Sequence, residues 1–255
     1  MPADSFDYSP IAERVIGVRD PDLGAERTAF GYLIHTTGGG VTREARKANI
    51  TPIEWALAYY IRSQNGANGY KWGGPHYVGD FDGKLYQVAP DNVKTAHCGG
   101  RSEKYPNGTR QHYITREDST TITHWTKLIP ANVVAEWRKR WPHVRHPYAL
   151  FPSRDPNADY VGLELIPIGD GFGGEPMAPG LRFTQAQHDA AIKLGIDLRL
   201  RHEWPEAWHR TGRLLGHEDV DILNRSDSKG GWDPGSLRPQ PYFDFGYVRM
   251  GIAQG

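Results

Sequence analysis

Residues 214–235 read LLGHEDVDILNRSDSKGGWDPG, and the interpretation of the whole chain starts from this stretch. Leu214 and Leu215 are typical of the end of a buried strand, so His217 is expected where a strand ends and a loop begins. Asp233 follows in a turn-forming Trp-Asp-Pro-Gly context, and the Gly-rich loop between them allows Asp233 to fold back beside His217. An imidazole and a carboxylate that converge in this way are suited to bind zinc, provided that a third ligand is present.

The best candidate for that third ligand is His35, in the segment FGYLIHTTGGG. It also ends an apolar run and precedes a Gly-rich loop, so it is predicted at the end of a strand over residues 29–36. The chain contains eleven histidines, and most of them are expected to be ordinary surface or core residues. Taken alone, these residues therefore leave a metal site and a purely structural role as alternatives.

Composition excludes several classes of protein. The chain has 255 residues, of which 38% are hydrophobic, so a packed core is expected. Its 30 basic residues equal its 30 acidic residues, which argues against a dedicated nucleic-acid-binding protein. Cys98 is the single cysteine, so no internal disulfide or cysteine-based zinc cluster is possible. Any zinc is thus held by His and carboxylate ligands, with Cys98 as the one sulfur option.

The N-terminal stretch MPADSFDYSP is acidic and lacks the apolar core of a signal peptide. Synthesis in the cytosol without a signal peptide is therefore expected. No apolar run approaches the length needed to cross a bilayer, so no membrane partner is expected either. We expect a monomer.

Strand-like and helix-like segments alternate along the chain, which predicts a single α/β domain with a central mixed β-sheet flanked by helices. Residues 1–28 are interpreted as an N-terminal extension, and residues 29–255 as the domain itself. A long insertion is expected at about 101–157, with a helix over 130–141. The remaining predicted elements are helices over 51–64 and 184–201, a hairpin over 73–88 that turns at Asp82-Gly83, and a strand over 160–166.

Two further residues stand out within these elements. Glu164 interrupts the apolar strand YVGLELI, where a carboxylate is costly unless it is paired or functional. The alternative is that Glu164 points to solvent from an edge strand. His97, in DNVKTAHCGG, is interpreted either as a substrate contact or as an ordinary loop histidine.

The order of these motifs resembles that of a known family. IHTT, HYVGDFDGKLYQ, AHCGG, YVGLELI, FTQAQHDAAIKL, LLGHEDV and DPG follow one another as in the zinc-dependent type 2 N-acetylmuramoyl-L-alanine amidases. That family shares its fold with peptidoglycan recognition proteins and small phage lysozyme-type amidases. The resemblance covers roughly residues 29–100 and 158–236.

The resemblance implies a role for each candidate residue. His35, His217 and Asp233 match the family's zinc ligands, which would hold one Zn²⁺ per chain. Glu164 matches the catalytic carboxylate, and His97 matches a histidine near the substrate.

Three features of the chain depart from the family pattern. The family often has a lysine two residues before the last ligand, where this chain has Gly231, and the nearest lysine is Lys229. Lys229 is therefore the candidate for that catalytic position. Pro75 stands before the hairpin histidine, where many members have a small residue. The segment after Arg101 is longer than in compact members and is predicted to wall the substrate groove.

The implied function is hydrolysis of the amide between N-acetylmuramic acid and L-alanine in peptidoglycan or muropeptides, as in a bacteriolytic endolysin. Three alternatives are weighed against cell-wall lysis. A non-catalytic muramyl-peptide-binding module is disfavoured because all three ligands and Glu164 are retained. An unrelated zinc peptidase is disfavoured because the chain lacks His-Glu-x-x-His. A cytosolic muropeptide-recycling amidase fits the sequence as well as a phage-type enzyme that acts on the wall after release or delivery.

Overall fold

In the described part of the chain, a computed structural model shows a six-stranded mixed sheet at the centre of the fold. Its strand order is β1-β4-β3-β7-β2-β8, and the four strands β3, β7, β2 and β8 run parallel to one another. A separate two-stranded antiparallel ribbon pairs β5 with β6. The strands are Glu13–Arg14 (β1), Gly31–Thr36 (β2), Tyr77–Gly79 (β3), Leu85–Gln87 (β4), Ser102–Lys104 (β5), Arg110–His112 (β6), Tyr160–Leu165 (β7) and Leu214–Gly216 (β8). The structure describes residues 7–15, 28–37, 41–64, 73–97, 102–104, 110–112, 156–168, 182–210, 213–217, 233–235 and 242–255.

Helices cover the two faces of this sheet, as the burial of a parallel sheet requires. Helices α4 and α5 pack on one face, with the apolar side chains of Ile34, Leu163 and Leu214 beneath them. Helix α2 covers the opposite face, where Ile53 and Ile166 are buried together. The helices are Val41–Ala48 (α1), Pro52–Gln64 (α2), Pro156–Asp159 (α3), Gln185–Arg201 (α4) and Phe245–Gln254 (α5), with a 3₁₀ turn at Trp208–Arg210.

The predicted fold class, an α/β domain with a mixed central sheet and flanking helices, is confirmed. The two predicted helices are present as α2 and α4, and Thr51 and Thr184 cap their N-termini as expected from the sequence. The predicted hairpin is present as β3 and β4, with a tight turn in which Gly83 N–H donates to Asp80 O.

Some elements were not predicted, and other predictions concern residues outside the described part of the chain. Helix α1 was not predicted, and the C-terminal tail proves to contain helix α5. The predicted helix over 130–141 and most of the insertion at 101–157 lie outside the described residues. Among the described helices, none combines the length and apolar character needed to cross a membrane.

Candidate metal centre

His35, His217 and Asp233 converge at the ends of two neighbouring strands, β2 and β8. One ligand atom from each lies within 4.8 Å of the others, and all three side chains are buried. Asp233 Oδ2 is 2.7 Å from His217 Nδ1, and Asp233 Oδ1 is 3.9 Å from His35 Nδ1. The sequence analysis predicted this convergence, and its geometry is observed.

The register of the sheet explains why the two histidines meet. Strands β2 and β8 are parallel neighbours in which Ile34 lies opposite Gly216. The residue that follows in each strand direction, His35 or His217, is therefore at the same level. Side chains at matched positions of neighbouring strands point to the same face. The rings of His35 and His217 accordingly meet edge to face, with centroids 4.7 Å apart.

Asp233 reaches this place from a turn that packs against β8. The backbone N–H of Thr36, at the end of β2, donates to Asp233 Oδ1 at 2.8 Å. The ring of the next residue, Pro234, lies against Gly216, where a Cβ would come within 2.8 Å of Pro234 Cδ. The carboxylate is thus oriented by the strand end and by the close approach of the turn.

Two imidazoles and one carboxylate, buried together, fit a zinc ion. Zinc takes these donors at about 2.0–2.2 Å, and catalytic zinc sites use three protein ligands with a fourth position left for water or substrate. The three donors lie close enough for one ion to reach all of them. Their role as zinc ligands stays a prediction.

Glu164 lies beside His35 on the next strand. It is the direct register partner of His35 in the β7–β2 pair. Both side chains therefore point to the same face of the sheet, the face on which the candidate metal ligands lie. The side chain is buried, with 8% of its surface exposed, and β7 lies between β3 and β2 inside the sheet. The alternative of a solvent-facing glutamate on an edge strand is therefore wrong.

His97 joins the same group of side chains from the opposite side. Its Nδ1 is 2.9 Å from His35 Nε2, and its Nε2 is 3.0 Å from the carbonyl oxygen of Tyr160. Its ring packs edge to face on His76, which the sequence analysis did not single out. His97 is thus a buried residue that contacts His35, and its role as a substrate contact stays a prediction.

Tyr60 is another residue near the centre that the sequence analysis missed. The sequence placed it in the apolar stripe of α2, and it does pack there. Burial raises the pKa of its phenol well above the ordinary value, and the charges of Glu164 and Asp233 raise it further. Tyr60 is thus a neutral phenol within electrostatic range of both carboxylates, which helical spacing alone could not indicate.

A second group of metal-ligand types, formed by Asp7, Asp91 and His202, has a different explanation. The guanidinium of Arg201 lies 2.5 Å from Asp7 and 2.6 Å from Asp91, so a cation of the protein already balances these carboxylates. This group is an ion-pair network. Lys229, the remaining predicted site residue, lies outside the described residues.

Comparison with known proteins finds one matching family and several similar solved structures. The sequence profile of the family described as N-acetylmuramoyl-L-alanine amidase matches residues 27–236, most of the chain. No curated protein sequence matches this chain.

Three of the solved structures to which this chain is similar are given below. An endolysin amidase, LysCS from Clostridium intestinale URNW, is 15% identical, with 96% of this chain and 97% of that chain covered and a TM-score of 0.48. A selenomethionine derivative of AmpD is 15% identical, with 96% of each chain covered and a TM-score of 0.48. The Drosophila peptidoglycan recognition protein SD is 14% identical, with 91% and 97% covered and a TM-score of 0.43.

Proposed function

Because this chain belongs to the N-acetylmuramoyl-L-alanine amidase family, we propose that it hydrolyses the amide bond between N-acetylmuramic acid and L-alanine. We propose one zinc ion per chain as its cofactor, held by His35, His217 and Asp233. The observation that carries the proposal is the placement of a buried carboxylate, Glu164, in direct register with His35 beside these three donors. Peptidoglycan or soluble muropeptides are the substrates that follow.

Each residue has a separate task in the proposed reaction. When bound, zinc would act as a Lewis acid that lowers the pKa of water toward neutrality and polarises the scissile carbonyl. Glu164 accepts the proton of the attacking water and passes it to the amino group of L-alanine as that group leaves. Asp233 is held for its task by the Thr36 N–H, so its carboxylate does not need to reorganise during the reaction.

Lys229 is proposed to stabilise the oxyanion of the tetrahedral intermediate. The support for this role is the sequence resemblance, with Lys229 four residues before Asp233 in the sequence. A lysine is suited to it because its ammonium group is a compact positive charge on a flexible stem.

The proposal is tested with a soluble muropeptide and two proteins, the wild type and Glu164→Gln. The amide keeps the size of the side chain but cannot accept a proton, so turnover should fall on the order of 10²–10⁴-fold. The measurement is the appearance of peptides with a free L-alanine amino terminus, followed by mass spectrometry at matched zinc occupancy.

Two results would count against the proposal. Binding of muropeptide without release of any L-alanine terminus by the wild type would identify a recognition module. Near-normal release by Glu164→Gln would mean that the proton passes through another group.

The proposed activity fits two biological roles, and we propose cell-wall lysis as the first. A lytic enzyme that reaches the wall after release or delivery should degrade intact sacculi. A cytosolic recycling enzyme should cleave soluble muropeptides and leave sacculi largely intact. Parallel digestion of both substrates by the same protein separates the two roles.

A further inference from the structure

The hydrogen bonds of His97 determine which of its ring nitrogens carries the proton. Its Nε2 faces the carbonyl oxygen of Tyr160 at 3.0 Å, and a carbonyl can only accept. Nε2 therefore carries the proton, and in the neutral imidazole Nδ1 is left as an acceptor. That acceptor lies 2.9 Å from His35 Nε2, so His35 donates to it.

The same logic fixes the state of His35. A neutral His35 that donates from Nε2 carries no proton on Nδ1, and Nδ1 is the atom that lies toward Asp233. Metal binding through imidazole needs a lone pair on the nitrogen that faces the metal. The partner at the far nitrogen decides whether that lone pair is available.

The ring of His97 is also held firmly in place. It lies directly over Gly162, where a Cβ would come within 2.6 Å of His97 Nδ1. The ring of His97 also meets the ring of His76 edge to face. His76 is itself fixed, because its Nε2 donates to the Val93 carbonyl at 2.9 Å and its Nδ1 accepts from the Gly162 N–H at 3.0 Å. The ring thus occupies a site shaped for it behind His35.

We infer that His97 is a positioning residue that holds His35 in the tautomer and orientation needed to bind the metal through Nδ1. The sequence analysis predicted a substrate contact for His97. Both of its ring nitrogens are engaged inside the protein, and only 7% of the residue's surface is exposed, which favours positioning. The inference deepens the proposed function and rests on it for the identity of the metal.

The first readout needs no metal and no substrate. Long-range ¹⁵N–¹H correlation spectra of the zinc-free protein report the tautomer of each histidine. In the wild type, His35 should carry its proton on Nε2. His97→Phe keeps a ring over Gly162 but removes the acceptor, so the preference of His35 for this tautomer should weaken.

The second readout is zinc affinity, measured by competition with a chelator. His97→Phe should bind zinc about 10–100-fold more weakly, the usual effect of losing such a partner. His97→Gln offers an amide oxygen as acceptor and an N–H donor, so it should recover most of that loss and also serves if the Phe variant folds poorly.

His188→Phe is the matched control for loss of a buried histidine. His188 also makes two hydrogen bonds through its ring, to Thr184 O and from Asp244 N–H, but it lies on α4 across the sheet from the centre. The zinc affinity of His188→Phe should equal that of the wild type. This result would separate positioning of His35 from a general loss of stability.

The inference would be overturned by a His35 protonated on Nδ1 in the wild type. It would also be overturned if His97→Phe bound zinc as tightly as the wild type while its KM for muropeptide rose, since that result describes a substrate contact. If the wild type shows the expected tautomer and zinc affinities but cleaves no muropeptide, the positioning role stands and the proposed activity fails.

Discussion

At the scale of single residues, the absence of a side chain at Gly162 makes room for the histidines behind the candidate centre. Gly162 and Glu164 lie on the same face of β7, two residues apart. The side chain of Glu164 covers its own position on that face, whereas the space above Gly162 is occupied by the ring of His97. One strand thus supplies the proposed proton acceptor and the space for the group that orients His35.

This arrangement predicts the effect of Gly162→Ala. The added methyl group would lie 2.6 Å from His97 Nδ1 and 2.7 Å from its Cγ, so the ring must move. We expect a loss of about 1–3 kcal/mol in the free energy of unfolding, together with weaker zinc binding. Urea denaturation and chelator competition measure the two effects.

Gly246→Ala, in helix α5, is the control for this substitution. There the added methyl group would approach Asp244 Oδ1 at 3.1 Å and meet no atom of the centre within 4 Å, and alanine favours a helix over glycine. Zinc affinity should not change in this control. Unchanged zinc affinity in Gly162→Ala as well would mean that the His97 ring can shift without consequence for His35.

The same residues show how far the sequence could predict the site. The positions of His35 and His217 at strand ends, and of Asp233 in a turn, were readable because strand ends and turns have local signals. The bond between His35 and His97 joins residues 62 positions apart and has no local signal. The family resemblance therefore implied a role for His97 near the substrate, but the sequence could not indicate which residues His97 contacts.

At the scale of elements, helices α4 and α5 form the layer behind the sheet. Helix α4 was predicted because Thr184 is a good N-cap and an apolar stripe follows it, and the structure adds a capping box between Thr184 and Gln187. Helix α5 was not, because Gly246 and Gly251 lower its intrinsic helix propensity. Packing compensates for this: a Cβ at Gly251 would overlap the side chain of Ile192 on α4, so the glycine permits close contact between the helices.

His188 links these two helices, and its protonation should make stability depend on pH. Its ring donates to Thr184 O on the α4 cap and accepts from the backbone of Asp244, which caps α5. Burial lowers the pKa of His188 below its ordinary value of 6.5, although its bond to Thr184 and the charge of Asp244 oppose the shift. A second proton on the ring would remove the acceptor for Asp244.

The sign of this effect follows from the lowered pKa. As pH falls below 6.5 the unfolded chain binds a proton at His188 before the folded chain does. The stability contributed by neutral His188 is thus present above 6.5 and is lost as pH falls through the lower, folded-state value. Between about pH 7.5 and about pH 5.5, His188→Phe should lose less unfolding free energy than the wild type. Equal losses, measured by urea denaturation, would show that His188 does not titrate as expected.

At the scale of the whole molecule, residues 7–15 of the N-terminal segment are part of the fold. The sequence analysis treated residues 1–28 as an extension, and the described part, 7–15, adds β1 to the edge of the sheet. Asp7 and the fully buried Asp91 both pair with Arg201 at the end of α4. Burial alone would lower the pKa of Arg201, but Asp91 and the surrounding groups outweigh it and raise the pKa, so the guanidinium stays charged.

This network predicts that Arg201→Leu is strongly destabilising. The substitution leaves Asp91 buried without its cation, which typically costs about 3–5 kcal/mol. Lys84→Met is the matched control, because the Lys84–Glu13 pair also joins the N-terminal segment to the sheet but is about half exposed on each side. Its urea midpoint should stay close to that of the wild type. Similar, small effects of both substitutions would contradict a structural role for the buried network.

The metal centre itself is tested most directly by anomalous diffraction from a crystal of the zinc-loaded protein, measured on both sides of the zinc absorption edge. We expect one zinc peak per chain, bound by His35 Nδ1, His217 Nδ1 and a carboxylate oxygen of Asp233 at about 2.0–2.2 Å. A peak at Asp7, Asp91 and His202 instead, or no peak among His35, His217 and Asp233, would contradict the account.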